Sequence, residues 1–195
     1  MEIVIHRVNT LDQLSKVSTE FGCEIDIRSN GGHLILNHDP HEDGEKLVDF
    51  LEKYQHGLLV LNVKEAGLEN EIIQMMSQAG ITEYFLLDVE FPYLYKAAQM
   101  GTRNIAVRFS EEEPIQMAQN FIDRVDWIWI DTLTKLPISA DSLPIVQKFK
   151  SCLVCPERWG RPMEIPQLKK QMLGMDFHPT AVMTGLNFVK EWLSE

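Results

Sequence analysis

Two carboxylates that lie two residues apart are the side chains in this sequence best suited to chemistry. Glu24 and Asp26 belong to a run of residues with period two, so both acidic side chains leave the same face of a predicted strand. Two negative charges side by side favour a cation between them, and oxygen ligands favour Mg²⁺ or Ca²⁺ over zinc. The sequence therefore predicts a divalent-cation site on this strand.

The next segment predicts a β-hairpin that brings a histidine to the same place. The apolar runs 23–27 and 33–36 flank a turn of Ser, Asn and two Gly, and Asn and Gly tolerate the positive φ that tight hairpin turns require. His38 and Asp39 follow the second run. We expect these two side chains close to a metal held by the acidic pair.

Short apolar runs rich in β-branched residues recur along the chain and indicate the strands that position these groups. Eight are predicted, at residues 2–5, 23–27, 58–63, 84–87, 104–107, 127–130, 151–154 and 180–182. Amphipathic segments between them predict eight helices, at residues 11–21, 44–54, 69–79, 92–99, 114–122, 142–148, 166–172 and 186–192. Helix-start residues are Thr10, Pro92, Pro114 and Pro166, and the predicted stops are Gly22, Gly80 and Gly101.

The alternation of strand and helix predicts the fold class. Parallel strands covered on both faces are unbroken apolar runs, so eight βα units favour a compact (β/α)₈ TIM barrel that forms a single domain over residues 1–195. This class usually needs about 200 residues or more, so short helices and few insertions are expected. An open doubly wound sheet is the structural alternative.

Polar side chains end most of the predicted strands. In a (β/α)₈ barrel these ends converge on one rim, where active sites are built. The residues selected on this basis are His6, Arg7, Asp26, Asn62, Lys64, Glu65, Asp88, Arg108, Asp131, Glu157, Arg158 and Thr184. Those from Asp88 onward fit either substrate contacts or structural ion pairs, and Trp159, in a loop after the seventh run, is the aromatic residue best placed to contact a ligand.

The first of these residues resemble, in chain order, a known enzyme family. The glycerophosphodiester phosphodiesterases show the elements His-Arg-Gly, Glu-x-Asp, His-Asp and Glu-x-Lys, and the matching elements here are His6-Arg7, Glu24-x-Asp26, His38-Asp39 and Asn62-x-Lys64. The family belongs to the wider class of phosphatidylinositol-specific phospholipase C-like phosphodiesterases. The resemblance covers the first 65 residues of the 195, and beyond them the match rests on strand and helix periodicity alone.

This resemblance implies a cation-dependent hydrolase of small glycerophosphodiester-like substrates, with a place in lipid metabolism. In that family two histidines transfer protons, carboxylates hold the cation, and basic residues contact the phosphoryl oxygens. Carried over to this chain, the catalytic pair is His6 and His38, the metal ligands are Glu24, Asp26 and Asn62, and the phosphate contacts are Arg7 and Lys64. Further substrate-binding candidates are Asp88, Arg108, Glu157 and Trp159.

Three positions depart from the family pattern. The Gly after His-Arg is Val8, the Glu two residues before the Lys is Asn62, and the link 39–46 is short where longer relatives carry an inserted subdomain over the pocket. An Asn carbonyl still coordinates a hard cation, but the site loses one negative charge, so weaker metal binding and an open rim are expected. Glu65 points away from the face of Lys64 by strand parity and compensates poorly.

Composition limits the partners and the compartment. The net charge of −11 and the lack of a Lys/Arg run argue against general affinity for nucleic acid or anionic membranes. No segment approaches the ~20 apolar residues of a membrane span, and the N-terminus lacks a basic start, so we expect a cytoplasmic protein without integral membrane contact. Three cysteines do not make a disulfide framework. The expected partner is a small-molecule phosphodiester, and the sequence leaves a homodimer open.

Two alternative functions remain. Lys64 could form a Schiff base in an aldolase or lyase, which requires that it is not paired with Glu24 and Asp26. The chain could also be a catalytically divergent barrel that binds a phosphorylated sugar or polymer, an idea that Val8 and Asn62 favour.

Overall fold

A computed structural model describes residues 1–194 of the chain, which form an α/β protein with mostly parallel strands. The strands are β1 (Glu2–Ile5), β2 (Gly22–Asn30), β3 (His33–Leu36), β4 (Glu45–Lys46), β5 (Leu59–Val63), β6 (Tyr84–Leu87), β7 (Ala106–Phe109), β8 (Trp127–Ile130), β9 (Lys150–Val154) and β10 (Ala181–Thr184). The α-helices are α1 (Leu11–Leu14), α2 (Leu47–Lys53), α3 (Glu69–Ala79), α4 (Phe91–Gln99), α5 (Ile115–Gln119), α6 (Leu143–Val146), α7 (Ile165–Gly174) and α8 (Val189–Leu193). Short 3₁₀ helices span Pro156–Trp159, Pro162–Glu164 and Leu186–Phe188.

The described chain divides into two compact units, and the first, residues 4–95, is built around β2. Cys23 near the start of β2 pairs in parallel with Ile5 of β1 on one side and with Leu59 of β5 on the other. The end of β2 turns back through the hairpin to pair antiparallel with β3, which pairs in turn with β4, while β6 lies beside β5. The first part of β2 is therefore a central strand with neighbours on both sides.

The burial of the first part of β2 explains why its sequence is rich in apolar residues. Residues 22–27 are all buried, and Ile25 and Ile27 have no exposed surface. The helices of this unit bury apolar stripes in the same core, which include Phe50 of α2 and Ile72 of α3. A carboxylate on this strand is therefore held in an apolar setting, where it needs partners to stay ionised.

Gly22 begins β2, so its prediction as a helix stop is wrong. A Cβ at this position would lie 2.2 Å from the carbonyl oxygen of Leu58, a close approach that only glycine permits. The preceding helix is correspondingly short and spans only Leu11–Leu14. Its start is as predicted, because the Thr10 side chain accepts from the backbone N–H of Gln13 in a capping box.

The second unit comprises residues 1–3 and 96–194. It holds β7, β8, β9 and β10 in that spatial order, all parallel. The backbone N–H of Glu2 donates to the carbonyl of Thr180 at 2.8 Å, next to the start of β10. Arg108 lies inside β7 and not after it as predicted, because the backbone N–H of Ile105 turns back to Arg103 and the strand starts two residues later.

The order of strands and helices is as the sequence predicts, whereas the lengths of several helices are not. All eight predicted parallel strands and the hairpin overlap the predicted ranges, although β7 starts two residues late, whereas β4 was not predicted. Helix α3 has the predicted bounds and ends at Gly80 in the left-handed conformation, with φ of 70°. Helices α2, α5, α6 and α8 are shorter than predicted, and 3₁₀ turns replace part of the last one. Barrel closure and a single domain stay predictions.

The remaining sequence features are compatible with these elements. Cys23, Cys152 and Cys155 are buried and free, so none of the three forms a disulfide. None of the helices in residues 1–194 is long and apolar enough to cross a membrane.

Candidate active site

His6 and Arg7 follow β1 directly and turn toward β2. Arg7 adopts a left-handed backbone conformation with φ of 55°, which costs a non-glycine residue on the order of 1 kcal/mol and is frequent at functional sites. In this conformation the backbone N–H of Arg7 donates to Oε2 of Glu24 at 2.8 Å. Nε2 of His6 lies 3.8 Å from the same oxygen. The end of β1 thus brings an imidazole and a backbone donor to one carboxylate.

Glu24 is buried and is held on both oxygens. Its second oxygen, Oε1, accepts from the side-chain amide of Asn62 at 2.9 Å. Glu24 and Asn62 have 1% and 7% of their surface exposed, so this contact lies inside the protein. Asn62 stands where the family that the sequence resembles has a carboxylate, and here its amide replaces charge repulsion with a hydrogen bond.

Asp26 is fully buried and forms an ion pair with Lys64. The distance from Nζ of Lys64 to Oδ1 of Asp26 is 3.1 Å. The other oxygen, Oδ2, accepts from Nδ2 of Asn9 at 2.8 Å, and Nε of Arg7 is 4.0 Å away. Two cations therefore balance the buried carboxylate, as its burial requires.

Burial and the neighbouring charge change the protonation of Glu24. Desolvation is the largest cause and the charge of Asp26 adds to it, while the amide of Asn62, the backbone of Arg7 and the charge of Lys64 oppose them. Together they raise the pKa of Glu24 from 4.5 to about 7. Without a bound cation this carboxyl group consequently holds a proton up to nearly neutral pH.

We expect the cation-free protein to lose stability as the pH rises from about 4.5 to about 7. Over this range the folded state keeps a proton on Glu24 that the unfolded state releases, so the free energy of unfolding falls. One pKa unit corresponds to about 1.4 kcal/mol, which gives a loss on the order of 3 kcal/mol. Urea unfolding in EDTA across this range measures the loss, and Glu24→Gln should flatten it. A wild-type protein that gains stability over this range would contradict the assignment.

Two buried oxygens at the site make a cation site chemically reasonable. In the described chain Oδ1 of Asn62 has no hydrogen-bond partner, and Oδ1 of Asp26 has none besides its ion pair with Lys64 at 3.1 Å. The two residues are register partners in β2 and β5. Within residues 1–194 no group of three or more His, Cys, Asp and Glu side chains is arranged to hold a metal. Because only two carboxylates of the described residues lie at this site, a cation here would use Glu24 and Asp26 together with the side-chain carbonyl of Asn62. This all-oxygen set fits Mg²⁺ or Ca²⁺.

The hairpin brings His38 to the same strand end. The backbone N–H of Asn37 donates to the carbonyl of Asp26 at 3.1 Å, so the residue before His38 is tied to the acidic strand. The guanidinium of Arg28 donates twice to the carbonyl of His38, at 3.0 and 3.2 Å, and its remaining arm bonds Glu65. Glu65 therefore belongs to the network that holds His38 and does not replace the missing carboxylate at Asn62.

The ring of His38 is oriented by its neighbour Asp39. Nδ1 of His38 lies 2.8 Å from Oδ1 of Asp39, and this hydrogen bond lowers the pKa of Asp39, with smaller contributions from the charges of Arg7 and Arg28. An ionised carboxylate only accepts, so the contact requires the proton on Nδ1 and leaves Nε2 as the proton-accepting nitrogen. The electrostatic contribution of Arg7 links this segment to the end of β1.

Asp88 is the last candidate in the first unit. It follows β6 directly and is exposed, with a left-handed φ of 58°. Leu87 before it pairs with Asn62 on β5, so Asp88 lies one residue beyond the level of the site. This location is compatible with the predicted role in substrate binding.

Arg108, Glu157 and Trp159 lie in the second unit and have contacts of their own. Arg108 is paired with Glu113 at 2.7 Å and also with Asp131, so a structural role already accounts for its charge. Oε1 of Glu157 accepts from Thr184 and from the backbone N–H of Gly185, which ties the loop after β9 to the end of β10. Trp159 ends a 3₁₀ helix and is 45% exposed.

Two residues of the first unit were not selected from the sequence. The side-chain amide of Asn9 forms hydrogen bonds with Asp26 through both its nitrogen and its oxygen. The guanidinium of Arg28 donates to the backbone carbonyl of His38. The available signals were weak: Asn9 stands directly before the capping Thr10, and Arg28 follows Asp26 by two residues on the same strand. Both contacts depend on tertiary structure, which neither signal contains.

The chain is similar in structure to two solved proteins from Agrobacterium tumefaciens strain C58. One is a glycerophosphodiester phosphodiesterase, with a TM-score of 0.65 and 10% sequence identity over 94% of this chain and 96% of that chain. The other is a putative glycerophosphoryl diester phosphodiesterase, with a TM-score of 0.66 and 11% identity over 94% and 93%. No family model and no curated protein matches the sequence. At these identities the similarity shows a common α/β fold.

Proposed function

We propose that the protein is a metal-dependent phosphodiesterase that hydrolyses a small glycerophosphodiester-like substrate. The observation that carries the proposal is the cluster of His6, Glu24, Asp26, Asn62 and Lys64 at adjacent strand ends. The similarity in fold to glycerophosphodiester phosphodiesterases supports it, and so does the order of the sequence elements. Fold alone does not imply activity, so the argument depends on the chemistry of the site.

The charge of the site suits a phosphodiester. In the proposed mechanism Lys64 and Arg7 contact the phosphoryl oxygens, and both cations already balance Asp26. Glu24, Asp26 and Asn62 would hold the divalent cation. A bound Mg²⁺ or Ca²⁺ supplies Lewis-acid stabilisation of the charge that develops on phosphorus-bound oxygens. The basic side chains contribute to the same electrostatic stabilisation.

Two imidazoles would transfer the protons of the hydrolysis. Hydrolysis requires one group to remove a proton from the attacking water and another to protonate the leaving alcohol oxygen, and imidazoles are suited to both roles near neutral pH. We assign the base to His38, because the contact with Asp39 leaves its Nε2 as proton acceptor. The acid is then His6, whose Nε2 lies beside Glu24. Asp88 and the exposed Trp159 stay candidates for contacts with the alcohol groups of the substrate.

The Schiff-base alternative receives no support. It required a Lys64 that is not paired with the acidic residues, whereas its ammonium lies 3.1 Å from Asp26. The condition that this alternative sets for Lys64 is therefore not met. A barrel that binds a phosphorylated sugar or polymer without hydrolysis stays the second hypothesis, because Asn62 removes a charged metal ligand.

A substrate panel tests the proposal. We expect purified protein to hydrolyse glycerophosphodiesters or bis-aryl phosphates with added Mg²⁺ or Ca²⁺, and to lose this activity in EDTA. The cation should restore the rate when it is added back. Equal background rates with cation, with EDTA and without protein would refute hydrolysis and leave the binding module as the better hypothesis.

A further inference from the structure

We infer that Asn9 is a positioning residue for Asp26, which fixes the carboxylate oxygen that faces Lys64 and the cation. The inference rests on the proposed function and adds a residue to its machinery. Nδ2 of Asn9 donates to Oδ2 of Asp26 at 2.8 Å, and Oδ1 of Asn9 accepts from the backbone N–H of Asp26, also at 2.8 Å. One amide therefore holds both the backbone and the side chain of the buried carboxylate.

These two bonds determine the orientation of Asp26. Because Oδ2 of Asp26 is occupied by Asn9, Oδ1 is the oxygen that lies 3.1 Å from Nζ of Lys64. Asp26 is also the register partner of Asn62 on β5. A rotation of the carboxylate would break the hydrogen bond from Asn9 to a buried charged group, and such bonds are stronger than neutral ones. The ligand oxygen is thus preorganised before any cation or substrate binds.

Asn9 is itself ordered by the start of α1. Its backbone N–H donates to Oε1 of Gln13 at 2.7 Å, and the same oxygen accepts from the backbone of Thr10. The next backbone N–H, of Leu11, donates to Glu45 at 2.7 Å. Helix α1 has only four residues, and its capping box holds the backbone next to Asn9. The capping box therefore helps to fix the amide that orients Asp26.

Cation affinity distinguishes this role from a merely structural one. A residue that only ties β1 to β2 would change the unfolding temperature and leave the affinity of the folded protein unchanged. A residue that orients a ligand changes affinity by about 10- to 100-fold when it is removed. The readout is therefore binding of the cation alone, and it does not require catalysis.

The experiment compares the full-length wild type with Asn9→Ala by calorimetric titration with Ca²⁺ and with Mg²⁺, under conditions where circular dichroism shows both proteins folded. The matched control is Asn70→Ala, because the side chain of Asn70 accepts one hydrogen bond from Tyr93 on the protein surface. We expect Asn9→Ala to bind about 10- to 100-fold more weakly and the control to bind like wild type. Should Asn9→Ala fail to fold, Asn9→Ser, which also lacks the donor Nδ2, takes its place.

Hydrolysis measured on the same samples separates the inference from the proposed function. Unchanged cation affinity in an active Asn9 variant would overturn the inference and leave the function intact. A wild type that binds the cation without hydrolysing any diester, together with a weakened Asn9 variant, would support the inference and refute the function. A wild type with neither activity nor cation binding would overturn both.

Discussion

Asp26→Asn is expected to remove most of the hydrolytic activity and to destabilise the protein. The substitution keeps the volume of the fully buried side chain and removes its charge. The ammonium of Lys64, whose side chain is 17% exposed, then loses its partner at 3.1 Å, which costs about 3 kcal/mol when a buried pair is broken on one side. Loss of the ligand charge should lower kcat/KM by roughly 10²–10³ at a fixed cation concentration, the range seen when one electrostatic contact of an active site is removed.

A double-mutant cycle with Lys64→Met separates the two effects. If Lys64 serves the structure through Asp26, the double variant should recover part of the stability, with a coupling energy of about 1–3 kcal/mol from urea unfolding. Its activity should stay low, because the phosphate contact and the cation ligand are both missing. The exposed pair of Asp12 and Lys16 in the same unit is the matched control and should show little coupling. Additive stability losses at Asp26 and Lys64, or a double variant with wild-type turnover, would contradict this account.

The strand ends were predictable because their signals are local. Period-two alternation identifies the face of Glu24 and Asp26, and parallel pairing of neighbouring strands puts their ends at one level. The register of β2 and β5 accordingly pairs Asp26 with Asn62, so residues 36 positions apart in the chain meet at the site. Strand order and period-two alternation were enough to select these three side chains, whereas their role as a shared ligand set came from the resemblance to a known family.

The contacts that orient them were not predictable in the same way. Asn9 and Asp26 are 17 residues apart, and the bond between them depends on the left turn at Arg7 and on the capping box that follows. Val8 stands where the family that the sequence resembles has glycine, yet the left-handed residue is its neighbour Arg7, and the Val8 side chain is buried. A sequence motif therefore identified the substituted position but not its conformation.

Helix lengths were overestimated for a related reason. Apolar periodicity continues past the end of a helix whenever the following loop also buries side chains. Leu14 of α1 and Val17 beyond it are both buried. The α-helix nevertheless ends at Leu14, and the chain after it continues in 3₁₀-type turns. The periodic signal reports burial, and burial does not stop where the α-helical hydrogen bonds stop.

His6→Ala should lower kcat for a glycerol-linked diester by roughly 10²–10⁴, the usual contribution of a general acid or base. His6 follows β1, and its Nε2 lies 3.8 Å from Oε2 of Glu24, so its removal deletes the proposed proton donor and keeps all three proposed cation ligands. Cation affinity, measured by calorimetry, should consequently stay close to that of wild type. His33→Ala is the matched control, because His33 is an exposed histidine at the start of β3 and should leave kcat unchanged.

A comparison of two leaving groups tests whether His6 is the general acid. An aryl oxide departs without protonation, so an acid becomes dispensable with a bis-aryl phosphate, whereas a base that activates the attacking water is needed with either substrate. We therefore expect His6→Ala to lose far less activity on the aryl diester than on the glycerol diester, and His38→Ala to lose similar activity on both. Equal losses for His6→Ala on the two substrates would exclude the acid role, and a reversed pattern would exchange the roles of the two histidines. In that case His38 would start the reaction as the imidazolium and give the proton on its Nε2 to the leaving oxygen, while its Nδ1–H keeps the contact with Asp39.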